Sequence, residues 1–191
     1  MNTLMTRRTV SMAAVLVLAV AGAVTGVALA SSHDTPATAM TTTGMSMPTA
    51  VPMQTLGTAT WQGMNITVRT ATALPFVVFS GTSEREVKPP KNASMHLMVM
   101  LSDADTGVAI PYASVWATIR KHGKIVFDER QWPMISRYMG PHYGNDVSLP
   151  GKGTYQLSLL ITPPQAARHM EYAKVWLKPH RVNMTFQWKG M

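Results

Sequence analysis

The chain of 191 residues contains no cysteine, which excludes disulfide bonds, thiolate zinc sites and cysteine nucleophiles. Acidic residues are scarce, with 9 Asp and Glu against 17 Lys and Arg, and their scatter along the chain nominates no acid–base pair. The sequence also lacks the serine-elbow, H-E-x-x-H, Walker and glycine-rich dinucleotide motifs. Because no nucleophile or acid–base motif is present, we do not expect an enzyme.

The excess of positive charge does not indicate a nucleic-acid partner. Basic residues are scattered without a run of four or more, and the sequence has no helix-turn-helix, zinc-finger or RNA-binding signature. We expect no nucleic acid, and at most loose, peripheral contact with an anionic membrane surface.

The first thirty residues have the pattern of a signal peptide. Arg7 and Arg8 precede an apolar stretch, and Ala28-Leu29-Ala30 forms a cleavage motif. The paired arginines are compatible with a twin-arginine signal, whereas an uncleaved membrane anchor is the alternative interpretation. Residues 31–55 are rich in Thr, Met and Pro and nearly uncharged, which is typical of a flexible tether. The sequence thus predicts export to the periplasm or another extracytoplasmic part of the cell envelope.

Residues 56–191 show the two-residue period of β-strands. Apolar residues alternate with polar ones in three segments, 64–69, 155–161 and 182–188. Further strands are predicted at 75–80, 94–102, 114–121 and 124–130, with a hairpin turn at His122-Gly123. No helical stripe exceeds about two turns, although Pro163-Pro164 could open a short helix through Ala167. The prediction is one all-β domain, an antiparallel β-sandwich.

Histidine and methionine supply the donor groups for chemistry. His142 lies in the run Gly140-Pro141-His142-Tyr143-Gly144, with Met134 nearby, and His169 precedes Met170. Both histidines are expected in loops between strands. Imidazole together with thioether suits copper better than magnesium, calcium or manganese. His96 shares one face of a predicted buried strand with Met98 and Met100, so it is either a satisfied core histidine or a metal ligand.

From Met95 onward the chain resembles the periplasmic iron-transport protein family. The resemblance is carried by the runs L-S-D-A-D-T-G, G-P-H-Y-G-N, G-T-Y-Q-L-S, A-R-H and V-N-M-T-F-Q-W. It implies an immunoglobulin-like β-sandwich, a homodimer with copper bound near the subunit interface, and an inner-membrane iron permease as partner. By motif position His142 and His169 match two family copper ligands. Met134 matches the methionine ligand if one extra residue is allowed.

One departure from the family pattern concerns an early strand, where members carry a histidine and a glutamate that help to bind the metal. Residues 57–80 contain no His, Asp or Glu. His96 could replace the missing imidazole, an assignment inferred from the facing of its strand. The predicted metal ligands are therefore His142, His169, Met134 and His96, with copper first and iron or zinc as alternatives. Tyr143 and Glu171 are predicted to orient the histidine rings.

Two functions follow from these observations. The first is an exported metal-binding protein that assists iron or copper uptake and handling at the envelope. The second is a structural or interaction module with an immunoglobulin-like fold, whose histidines serve packing and hold no metal.

Overall fold

The computed structural model describes residues 51–190; the predicted signal peptide (1–30) and tether up to residue 50 lie outside the described residues. The described part is built from β-strands and one 3-10 turn, Met170–Tyr172. The strands are β1 Gln54–Trp61, β2 Met64–Ala71, β3 Phe76–Ser80, β4 Ser83–Val87, β5 Met95–Asp103, β6 Val115–Lys121, β7 Lys124–Met134, β8 His142–Val147, β9 Gly153–Ile161 and β10 His180–Trp188. Between residues 51 and 190, no helix is long and apolar enough to cross a membrane.

Eight strands pair antiparallel in the order β1-β2-β5-β8-β7-β6-β9-β10. The long strand β7 belongs to two layers, because its Lys124–Gln131 portion pairs with β6 and its Trp132–Met134 end pairs with β8. The two edge strands meet, since the ring of Trp61 on β1 stacks on His180 of β10 at 4.6 Å. The predicted antiparallel β-sandwich is confirmed, and β3 and β4 form a separate two-stranded sheet.

Alternation along the strands produces the core between the two layers. On β2 the even-numbered residues Met64, Ile66 and Val68 are fully buried, while their odd-numbered neighbours are partly exposed. The predicted strands of segments 155–161 and 182–188 show the same pattern and face the same core. Apolar burial of this kind is the main favourable contribution to folding.

Several local predictions are corrected by the structure. No helix forms at 163–167, and the 3-10 turn lies at Met170–Tyr172 instead. β1 and β4 were not predicted. The turn at His122-Gly123 is confirmed, with φ of 49° and 76° at its two residues, as a tight hairpin requires.

The largest correction concerns His142, which was expected in a loop and instead begins strand β8. This strand is buried along its whole length, because it lies between β5 and β7. Its sequence, H-Y-G-N-D-V, shows no clean alternation of apolar and polar residues. Pairing on both edges forms the strand here in spite of its weak β-propensity.

Candidate metal centre

The candidate site lies on the face of β5 and β8 that points away from the core. Cα register places His96 opposite Asp146 and Met98 opposite Gly144. The end of β7 continues the same face, because Met134 is opposite His142. Residues directly opposite in a sheet share a face. The fold thus gathers His96, His142 and Met134 from three adjacent strands.

The two imidazoles are held in the same way, each through its Nδ1 atom. Nδ1 of His96 donates to Asp146 Oδ1 at 2.8 Å, and Nδ1 of His142 donates to the carbonyl oxygen of Gly140 at 2.9 Å. Because both partners accept hydrogen bonds, the neutral form of each ring has its proton on Nδ1 and a free lone pair on Nε2. Both Nε2 atoms are buried and have no hydrogen-bond partner. An imidazole oriented by a carboxylate or carbonyl through one nitrogen is the usual arrangement of a metal ligand.

Gly144 makes room for the two rings between the strand positions of the histidines. A Cβ atom at this residue would lie 2.6 Å from Nε2 of His96 and 3.1 Å from Cδ2 of His142. The ring centroids are 5.7 Å apart, with the planes nearly perpendicular. The Nε2 atom of His96, on the side of the ring away from Asp146, therefore lies over Gly144 and beside the ring of His142. A side chain larger than glycine at residue 144 would collide with it.

An apolar cavity of about 600 Å³ opens over these rings. One wall is the segment around β3, where the ring of Phe76 meets His96 edge-on with centroids 6.1 Å apart. The opposite wall is the segment from Pro133 to Met139, which includes the half-buried Met134. A mostly apolar cavity with a few converging polar atoms is the usual form of a ligand site.

Burial is the main influence on the pKa of His142 and lowers it, with a smaller lowering contribution from the adjacent His96; the hydrogen bond to Gly140 acts in the opposite direction. The ring is therefore neutral at neutral pH, and the neutral form is the one that binds metals.

Carboxylates add little to the donor set. Among residues 51–190, no three His, Asp or Glu side chains converge as metal ligands would. The other soft donors that line the cavity in the described part of the chain are the thioethers of Met134 and Met139. The combination of two imidazoles with methionine sulfur is chemically suited to copper and poorly suited to magnesium or calcium.

His169 lies elsewhere in the described chain. It is exposed, precedes the 3-10 turn, and borders a different cavity with Tyr112 and Trp176. Arg168, next to it, donates to the carbonyl oxygens of Pro164, Val175 and Trp176, which closes this segment into a compact loop. Within one chain, the structure brings together His96, Met134 and His142 but not His169.

The residues expected to orient the rings are replaced by others. Tyr143 faces the core, where its hydroxyl accepts the N–H of Ala113 at 3.0 Å, and Glu171 is exposed. The orienting groups are Asp146 and the Gly140 carbonyl. Asp146 could have been found from sequence, because a residue four positions after His142 lies on the same face if that segment is a strand.

The fold and this histidine pair define a class, that of β-sandwich proteins with two buried, oriented imidazoles beside a methionine. Residues 82–190 match the family described as Fe2+ transport protein, and since these residues make up more than half of the chain, the chain belongs to that family.

Relatives and solved structures agree with this membership. The UPF0423 protein BAB2_0840 of Brucella abortus is 30% identical over 125 residues, covering 56% of this chain and 68% of the relative. FetP from uropathogenic Escherichia coli has a TM-score of 0.59 at 22% identity, covering 73% of this chain and 98% of FetP. A copper-bound variant of Campylobacter jejuni P19 has the same TM-score at 20% identity, covering 73% of this chain and 99% of P19. At these identities the solved structures establish the likeness in fold.

Proposed function

We propose that this protein is an exported copper-binding protein that assists iron or copper uptake at the cell envelope. The observation that carries the proposal is the pair of buried Nε2 atoms on His96 and His142, which lack any hydrogen-bond partner and belong to rings whose centroids are 5.7 Å apart over Gly144. A buried polar nitrogen without a partner costs about 1–3 kcal/mol. A metal ion bound by both nitrogens would remove that cost.

Each residue has a separate part in the proposed site. His96 and His142 provide nitrogen ligands, and Met134 provides sulfur from the adjacent strand. Asp146 fixes the orientation of the His96 ring through the hydrogen bond to Nδ1, as carboxylate partners of metal-binding histidines do. Copper, when bound, would supply a redox-active centre; iron and zinc are the alternatives that direct binding measurements compare.

The proposed role of His169 depends on a second copy of the chain. Within one chain it borders a separate cavity, so it would complete the site only across the interface of a homodimer. Family membership and copper-bound FetP and P19 support a copper site and an association with iron uptake. An inner-membrane iron permease is the proposed partner.

The direct test is metal binding by purified protein and by His142→Ala. We expect about one copper per chain for the unaltered protein and at least about a tenfold loss of copper affinity in the variant, the scale seen when a ligand shell is disrupted. His122→Asn is the matched control, because His122 is exposed in a hairpin turn at φ 49°, a conformation that asparagine tolerates. The control should bind copper as the unaltered protein does.

The results distinguish the alternatives. Equal copper affinity in His142→Ala and the unaltered protein would eliminate the proposed site. If equilibrium dialysis at neutral pH retained no copper, iron or zinc, the structural or interaction module would be the better interpretation. If the protein bound zinc or iron stoichiometrically but no copper, the proposed ligands would stand and the proposed metal would be wrong.

A further inference from the structure

We propose that Met98 supplies a second thioether to this site, which makes it selective for copper in the cuprous state, Cu(I). The inference rests on the proposed function, because it names the form of the metal that the same site takes. It concerns a residue outside the ligand set His96, Met134, His142 and His169.

The position of Met98 is the first support. It lies on β5 two residues after His96, and its Cα is opposite Gly144. Its side chain therefore emerges on the face of the two histidines, in the row between them. Gly144, the residue opposite Met98, has no side chain, and the rings of His96 and His142 occupy the space over it.

The burial of Met98 is the second support. It is 0% exposed, yet it does not belong to the hydrophobic core cluster that contains Met95, Leu97 and Val99 of the same strand. Its side chain is thus buried on the outer face, which it shares with His96 and His142, themselves 5% and 4% exposed. A flexible, polarizable thioether at such a place can fill a gap and also serve as a ligand.

The resulting donor set favours Cu(I). Two imidazole nitrogens and two thioether sulfurs, from Met98 and Met134, form a soft set with no carboxylate, and thioethers select Cu(I) over harder divalent ions. The nearby carboxylate of Asp146 holds Nδ1 of His96 through Oδ1, so it lies on the side of the ring away from Nε2, and its Oδ2 is buried without a hydrogen-bond partner. The apolar lining of the cavity, which includes Phe76 and Met134, further disfavours the ion of higher charge, because charge is costly to bury.

Arg69 adds an electrostatic contribution in the same direction. It lies on β2 opposite Met98, so its guanidinium emerges on the same face, and its buried Nε has no hydrogen-bond partner. Repulsion between this cation and a bound ion doubles when the ion changes from Cu(I) to Cu(II). The carboxylate of Asp146 opposes that effect, so the softness of the donors is the main cause of selectivity.

The experiment measures affinity for Cu(I) and Cu(II) separately, each by competition with a chromophoric chelator of that ion. Met98→Leu is compared with Met95→Leu, a replacement of nearly equal volume on the core-facing side of the same strand, where Met95 is also 0% exposed. We expect Met98→Leu to lower Cu(I) affinity at least about tenfold and to change Cu(II) affinity less than about threefold. Met95→Leu should change neither.

An independent measurement uses the unaltered protein, so it does not depend on folding of a variant. X-ray absorption at the copper edge of the Cu(I)-loaded protein should count two sulfur neighbours. One sulfur, or a Met98→Leu variant with the same Cu(I) affinity as Met95→Leu, would overturn the assignment while leaving the copper site in place. If the unaltered protein bound no copper, the proposed function itself would fail, and this inference with it.

Discussion

In its first half, strand β5 is buried on both faces, but for different reasons. The inner face carries Met95, Leu97, Val99 and Leu101, which pack into the core between the layers. The outer face carries His96 and Met98, which are equally hidden from solvent. These four inner-face residues are all apolar, whereas the outer face contains an imidazole nitrogen without a partner.

This difference separates stability from function along one strand. Inner-face burial contributes about 1.5–3 kcal/mol for each large apolar side chain. Outer-face burial of an unpartnered nitrogen costs about 1–3 kcal/mol, so this group lowers the stability of the folded protein. Most buried polar atoms in proteins do have partners, and the exceptions need a specific explanation. Here the two rings that carry the orphaned nitrogens, His96 and His142, are neighbours with centroids 5.7 Å apart, and the proposed metal site would explain both exceptions.

The largest expected effect on copper affinity comes from adding a side chain at Gly144, on the outer face of the sheet. In Gly144→Ala the added Cβ would lie 2.6 Å from Nε2 of His96, so the imidazole must turn away from its neighbour. We expect copper affinity to fall about 100-fold, at the upper end for disturbed ligand orientation, and stability to fall by about 1–3 kcal/mol. Isothermal titration with copper and denaturant unfolding measure the two quantities.

A matched control for this substitution is Gly57→Ala on β1. Its added Cβ would lie 2.8 Å from Sδ of Met184, a comparable clash far from the histidines and against the movable end of a side chain. This variant should lose some stability and keep its copper affinity. Equal copper affinity in Gly144→Ala and the unaltered protein would show that the two rings do not act as one site.

The inner face was predictable from the sequence because core strands alternate with a period of two. The segments 64–69, 155–161 and 182–188 follow that period and form β2, β9 and β10. The same rule correctly placed His96 and Met98 on one face of β5, although it did not say which face packs into the core. Local pattern is sufficient wherever one face of a strand is apolar and the other polar.

The outer-face site was only partly predictable, because it depends on which strands are neighbours. Nothing local in H-Y-G-N-D-V indicates a buried strand, so Asp146 and Gly144 were missed with it. The convergence of His96 with His142 follows from the register of β5 against β8, a contact between residues distant in sequence. Fully buried strands and long-range register are specified by tertiary packing rather than by propensity.

The proposed role of His169 as a ligand from a second chain can be tested by mixing two variants that are each deficient in copper binding. His142→Ala lacks a ligand of the cavity, and His169→Ala lacks the group that a second copy would provide. If each site uses His142 of one chain and His169 of its partner, random re-pairing of equal amounts restores about a quarter of the sites. The amount of copper that the mixture retains after partial unfolding and refolding gives the fraction of restored sites.

The control for this experiment is each variant refolded alone, which should remain deficient. Recovery of copper binding in the mixture would show that the outer-face site is formed by residues of two chains. No recovery, together with normal copper binding by His169→Ala, would confine the site to one chain and remove His169 from the ligand set.

The smallest expected effect is a dependence of stability on pH that arises from the outer face alone. Burial holds the pKa of His142 below its ordinary value of 6.5, so the unfolded chain takes up a proton at this residue more readily than the folded chain does. Stability without metal is therefore full above about pH 6.5 and decreases as the pH falls below that value. We expect the thermal midpoint of the metal-free protein to drop by a few degrees between pH 7.5 and pH 5.5. His142→Leu should show a smaller drop in the thermal midpoint. Leucine takes up no proton, so the folded and unfolded states of this variant no longer differ in proton uptake at position 142. A midpoint that falls equally in both proteins would assign the acid sensitivity to other groups and would mean that burial of the His142 ring carries no such cost.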